Sequence, residues 1–312
     1  MASMLPDGWN SYYVGIGKVG EGMLNLVYKA IDKRGGNTVS VKKVRMTSTF
    51  ENGVPSALIR EITLLKLLHH PNIVSLEDVI MSDDQIYLVF EFVSVNLKSY
   101  ISKIPDNKWM DKAEQKSYLY QILQAIYYCH QRNILHCDLK PQNLFVDQKD
   151  CLKLAEFRFY EAVNTSGRYC TQEVCTQFYK APELLFGWTC YTSAVDMWSI
   201  GCIAAEMAVK QALFPPGDSN IDQIFRIFRI LSTPCEETLR EFTNMPNCSE
   251  TFPKWKNNHL DEILNRFMDA NGIKIVQKML TYEPAKRISA EELLKDPYFA
   301  DVDRTKLPTS EY

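Results

Sequence analysis

The hydrophobic and polar positions of this chain change rhythm twice. Between residues 13 and 46 the apolar residues fall in short runs, Val14, Ile16, Val19, Leu26, Val27, Tyr28, Val39 and Val41, broken at Gly20-Glu21-Gly22 and Gly35-Gly36-Asn37. Short runs between turn residues predict β-strands. Over 55–68 the spacing becomes helical. Leu58, Ile62 and Leu65 stand at i, i+4 and i+7, and Pro55 sits near the start, which predicts a helix with one apolar face. Two more strand-like stretches follow, near 73–80 and 86–92. From about 112 the pattern is mostly helical, as in Leu119, Ile122, Ile126 and Cys129. Residues 195–208 are apolar nearly all round, which predicts a buried helix. Strands first and helices later predict an α+β protein of two lobes. The small β-rich lobe, 13–93, carries one helix. The larger, mainly helical lobe is 94–301, and 1–12 and 302–312 read as short tails.

Composition narrows this picture. The chain has 312 residues, 46% of them hydrophobic, enough for one large core or two moderate ones. Its formal net charge of -3 argues against nucleic acid or an anionic membrane as partner. Residues 1–12 lack the apolar segment of a signal peptide, and no apolar run reaches spanning length. The nine cysteines show no CxxC pair, which fits a reducing compartment and predicts a cytoplasmic or nuclear protein. In that setting the sequons at Asn164 and Asn247 carry no expectation of glycosylation.

Several polar clusters interrupt the apolar pattern. Gly20-Glu21-Gly22-Met23-Leu24-Asn25 is two-thirds of a GxGxxG. It serves a plain hairpin turn or a flap over phosphates. It leads into another strand, whereas a dinucleotide-binding loop should open a helix. Lys42 within Val39-Ser40-Val41-Lys42, and Glu61 on the following helix, read by themselves as surface charges. Asp138-Leu139-Lys140-Pro141-Gln142-Asn143 offers a carboxylate base, a cation and an amide oxygen within six positions. Asp196 reads by itself as a helix cap.

Together these clusters resemble protein kinases. His136-Cys137-Asp138 is similar to the catalytic loop and Glu156-Phe157-Arg158 to the metal motif, which the family writes His-Arg-Asp and Asp-Phe-Gly. Ala181-Pro182-Glu183, Asp196 and Arg287 follow in the family's order. Pro55-Ser56-Ala57-Leu58-Ile59-Arg60-Glu61 resembles the PSTAIRE helix of cyclin-dependent kinases. Phe90-Glu91-Phe92 resembles their hinge, and 217–223 and 252–255 their C-lobe segments. The likeness runs from about 11 to 301 and is nearest the mitotic, PSTAIRE-type members.

The resemblance implies a bilobal kinase fold that transfers the γ-phosphoryl group of ATP to Ser/Thr-Pro sites of proteins in cell-cycle control. It implies ATP contacts at Val19, Gly20, Gly22, Val27, Lys42, Glu61, Phe90, Glu91, Val93, Asn96 and Phe145, and Mg²⁺ at Asn143 and Glu156. Asp138, Lys140 and Asn143 are the implied catalytic residues. Thr171 and Arg60 are the implied regulatory ones, and His136, Phe157, Glu183, Asp196 and Arg287 the implied structural ones. It implies cyclin docking on 55–68 and a small regulatory subunit on the C-lobe.

The departures predict weakened turnover. Glu156 for Asp lengthens the side chain by one bond, about 1.5 Å, where Mg²⁺ demands close geometry. Arg158 for Gly restricts the backbone. Cys137 and Glu161 remove two of the three arginines that clasp a phosphorylated Thr171, so its phosphate is expected to order the loop little. Phe145 narrows the adenine slot or stacks on the base, and Asn96 loses a charge near the ribose. Met23 and Leu24 replace the inhibitory Thr-Tyr pair. The alternative reading is a catalytically inactive pseudokinase that binds cyclin or regulatory subunits as a competitor or scaffold.

Overall fold

A computed structural model of the chain describes residues 12–21, 25–44, 54, 56–82, 85–157, 160–161, 177–188, 192–242, 245, 247 and 252–308. They form two compact units that divide between Ser94 and Val95.

The first unit is a five-stranded antiparallel sheet in the order β1-β2-β3-β5-β4 with one helix. Its elements are β1 (Tyr13–Glu21), β2 (Asn25–Asp32), β3 (Thr38–Val44), α1 (Ser56–Leu67), β4 (Leu76–Ser82) and β5 (Gln85–Glu91). Alternation explains β3: Val39 and Val41 are fully buried, while Ser40 and Lys42 take the other face, half-buried. Central β5 instead buries four residues in succession, Ile86 to Val89, as a strand covered on both faces must. Tyr13, Ala30, Val39, Val41, Tyr87 and Val89 make one core cluster. On α1 the predicted stripe holds, with Leu58 and Leu65 buried and Ile62 half-buried.

The second unit contains β6 (Val95–Asn96), α2 (Leu97–Ser102), α3 (Lys112–His130), β7 (Ile134–Leu135), β8 (Leu144–Val146), β9 (Leu152–Leu154), β10 (Tyr160–Glu161), α4 (Pro182–Leu185), α5 (Ala194–Val209), α6 (Asn220–Leu231), α7 (Glu236–Phe242), α8 (Leu260–Leu264), α9 (Ala270–Met279) and α10 (Ala290–Leu294). Helix α5 is its axis, buried from Ala194 to Ala208. A Cβ at Gly201 would lie 2.9 Å from Leu280 Cδ2 and 3.0 Å from Met279 Cβ, so only glycine lets α9 approach this closely. None of the described helices is long and apolar enough to cross a membrane.

The described residues at both ends pack onto the fold. Tyr12 belongs to the fold: its carbonyl accepts from Lys33 N at 2.8 Å, and the Arg34 guanidinium lies 5.4 Å from its ring centroid. At the other end Asp303 caps a 3-10 turn over Arg304–Lys306. The Arg304 guanidinium packs 5.6 Å from the Tyr120 ring centroid. Cation–π contacts hold Tyr12 and Arg304 in place.

Candidate active site

The site grows from a buried carboxylate. Asp196 enters α5 one turn past Ser193, and its side chain does not cap the helix. It accepts from His136 N at 3.0 Å and from Cys137 N at 2.9 Å, and it meets His130 Nε2 at 2.9 Å. The cap reading of Asp196 is thus replaced by a brace across 60 residues of sequence. Burial alone would raise its pKa, but hydrogen bonds from His130 and the His136 amide leave Asp196 below the usual carboxylate value.

That brace holds a strained backbone. Cys137 has φ 63° and Glu156 has φ 58°. This left-handed region costs an L-residue about 1–2 kcal/mol, and Asn or Asp tolerates it better than Cys or Glu. The Cys137 amide is fixed by Asp196. Glu156 is exposed, but its neighbours are tied down: Ala155 N donates to Asn143 O at 2.9 Å, and Ala155 O accepts from His136 Nε2 at 2.9 Å. On the other side Phe157 is buried with its ring 4.8 Å from that of His136.

His136 joins the two motifs. Its Nε2 faces the Ala155 carbonyl and its Nδ1 accepts from Asp138 N at 3.2 Å. This pattern needs a neutral ring with the proton on Nε2. Full burial lowers the His136 pKa from 6.5. A lowered folded-state pKa means the stability is fully present above the unfolded value and is lost as pH falls through the folded one. The melting temperature should therefore fall as pH drops below about 6.5, and the fall should be shallower in His136→Asn. Differential scanning calorimetry across that range checks it.

Beyond the histidine the polar side chains converge. Lys140 Nζ lies 2.9 Å from Asp138 Oδ2, and Asn143 Nδ2 donates to Asp138 O at 2.8 Å and approaches Oδ2 at 3.3 Å. Asp138 and Asn143 are buried, and Lys140 is 17% exposed at its side chain. Asn143 spends its amide N–H on Asp138, so its oxygen keeps the lone pairs a hard cation uses. Among the described residues no group of three His, Cys, Asp or Glu side chains is placed to hold a metal by itself. A cation bound at Asn143 and Glu156 would depend on nucleotide phosphates for further ligands.

A second buried pair is Arg287 with Glu183. Arg287 Nη1 and Nη2 bind Glu183 Oε1 and Oε2 at 2.7 and 3.0 Å. Its remaining contacts go to the carbonyls of Ala194, Thr281 and Tyr282, which occupies the whole guanidinium fork.

The other expected site residues lie in both units. In the first, Gly20 pairs with Val27 across β1 and β2, and Lys42 on β3 stands opposite Val27 and Leu88. Arg60 is exposed and Glu61 half-buried on α1. Phe90 stands on β5 opposite Ser40 and Leu76, and Val93 lies just past the strand, half-buried. Glu91 turns its carboxylate to Ser75 N at 2.9 Å. In the second unit Phe145 sits on β8, half-buried, opposite Asn96. Asn96 caps α2, accepting from Ser99 N at 2.8 Å, a role the sequence reading did not assign. Gly22, Met23, Leu24, Arg158, Thr171, Val174, Cys175 and Thr176, and the side chains of Val19 and Glu161, lie outside the described residues.

Other groups emerge only from the structure. Glu206, fully buried on α5, accepts from Tyr179 Oη and Lys98 Nζ, both at 2.6 Å. It ties α2 to the segment that leads into Ala181-Pro182-Glu183. In sequence, Glu206 is one polar residue in an apolar helix, and its partners are 27 and 108 positions away.

The order of these elements, a strand-flanked Asp-x-Lys-x-x-Asn loop braced by Asp196, with the Glu183–Arg287 pair beyond it, has a match among known proteins. A family model for the protein kinase domain covers residues 13–299. This chain belongs to the protein kinase family. The two units are its β-sheet N-lobe and helical C-lobe. Membership implies use of ATP and Mg²⁺ and protein substrates in general.

Proposed function

We propose that this kinase is a cyclin-dependent Ser/Thr kinase of weakened turnover that acts on Ser/Thr-Pro sites in cell-cycle control. The observation that carries the reading is the assembled group of Asp138, Lys140 and Asn143. Asp138 would orient the substrate hydroxyl and accept its proton. Lys140 would offset charge on the transferring phosphoryl group. Lys42, oriented by Glu61, would hold the α and β phosphates. Asn143 and Glu156 would hold Mg²⁺. The left-handed Glu156 is where turnover is lost.

The partner proposed for α1 is a cyclin. The helix keeps Ile59 and Leu67 53% and 60% exposed, apolar area that a partner would remove from water. A small regulatory subunit is proposed for the C-lobe, where Ile221 is 43% exposed at the start of α6. The proposed location is cytoplasm or nucleus. The test is Ser-Pro peptide phosphorylation with and without a mitotic-type cyclin, in wild type and Ile59→Glu. Transfer that needs cyclin and falls at least about tenfold in Ile59→Glu supports the reading. Equal rates with and without cyclin would sink it.

A second reading is favoured by Glu156 itself, a residue poorly suited both to its backbone angle and to an octahedral ion. On that reading the protein binds cyclin or regulatory subunits and competes with an active relative.

A further inference from the structure

We infer that the C-lobe carries a docking patch for an acidic segment of a partner protein, centred on Trp109. The tryptophan follows α2 and is 38% exposed. It is held in place: the Phe267 ring centroid lies 5.3 Å from its own, Arg266 Cζ 5.1 Å away and Lys210 Nζ 5.7 Å away. Residue 210 and the 266–267 segment therefore both meet the Trp109 ring. Lys210 also donates to Pro105 O at 2.8 Å, which pins the 103–112 loop to the end of α5.

Basic residues outnumber acidic ones in the segments that meet at this ring. Lys103, Lys108, Lys112 and Arg266 are all exposed, and among the described residues none has an ion-pair partner. Three exposed carboxylates share these segments: Asp106, Asp111 and Asp269. Asp111 accepts from Ala113 N at 2.9 Å and Asp269 from Gly272 N at 2.7 Å. With Lys210 counted, the balance is positive in a chain whose net charge is -3.

A fixed, half-exposed Trp beside an unpaired Arg has the composition of a binding hot spot. The surrounding lysines would steer and orient a negatively charged segment. The occupant that fits is a run of Asp and Glu interrupted by one apolar or aromatic side chain, which would lie on Trp109 while the carboxylates meet Arg266 and Lys108. The inference is independent of turnover, since none of these residues belongs to the catalytic group.

The experiment uses the full chain and a fluorescein-labelled Asp/Glu-rich peptide with one central Phe, read by fluorescence anisotropy. A Gln/Asn analogue and phosphatidylserine vesicles serve as comparison probes. The acidic peptide should bind, and more weakly as salt shortens the Debye length. The double variant Lys108→Glu/Arg266→Glu should lose about tenfold or more in affinity, and Trp109→Ala should also weaken binding. Lys295→Glu, the same kind of charge change just past α10, should bind as wild type does. The charge variants should melt near wild type, because the altered side chains are exposed. No binding, equal binding of the neutral analogue, or equal loss in Lys295→Glu would overturn the inference. So would vesicle binding without peptide binding.

Discussion

Glu156→Asp should raise the rate of γ-phosphoryl transfer by this kinase on the order of 100-fold. Two independent features point the same way. The substitution removes one methylene and withdraws the carboxylate by about 1.5 Å, and a misplacement near 1 Å costs on that order in rate. It also places at φ 58° a residue that tolerates left-handed backbone better than Glu. The anchors on either side of position 156, Ala155 to Asn143 and His136 and Phe157 against the His136 ring, should hold the backbone path in the variant. The gain should therefore appear in kcat, with thermal stability equal to or above that of wild type. A steady-state comparison of the two proteins under saturating ATP and peptide checks this. An unchanged kcat would place the defect elsewhere in the motif.

Arg287→Met should destabilise the C-lobe by about 3–5 kcal/mol. The side chain of Arg287 is fully buried and that of Glu183 is 2% exposed. Removing the cation strands a carboxylate in low dielectric. It also leaves the carbonyls of Ala194, Thr281 and Tyr282 short of a donor, and each such loss carries its own penalty of about 1–3 kcal/mol. For that reason the double change Glu183→Gln/Arg287→Met should recover only part of the loss, although replacing a buried pair by apolar groups is often nearly neutral. Urea denaturation followed by tryptophan fluorescence measures both. Arg287→Met within about 1 kcal/mol of wild type would contradict the view that this pair organises the lobe.

Much of the scaffold was legible because it follows local periodicity. The alternation at Val39 and Val41, the i, i+4, i+7 stripe of α1 and the all-round apolarity of α5 each correspond to the observed burial. The change of character near Phe92–Asn96 falls where the two units divide. The polar architecture was legible only in part, because its partners are remote in sequence. Asp196 reads locally as a cap, and only its hydrogen bonds to His136 and Cys137 make it a brace. The cap that Asn96 places on α2 and the bond from the Ser75 amide to the Glu91 carboxylate were not read from the sequence. The left-handed angles at Cys137 and Glu156 leave no trace in composition, since neither residue type favours them and the surrounding bonds impose them.

The central claim is that the group formed by Asp138, Lys140 and Asn143 still transfers phosphate. Its most direct test is γ-phosphoryl transfer from ATP to a Ser-Pro peptide by purified protein with a mitotic-type cyclin, run beside Asp138→Asn. The account predicts slow but measurable transfer by wild type and none above background in Asp138→Asn. Silence in wild type that persists in Glu156→Asp, with cyclin still bound, would contradict it and leave a kinase fold that acts by binding alone.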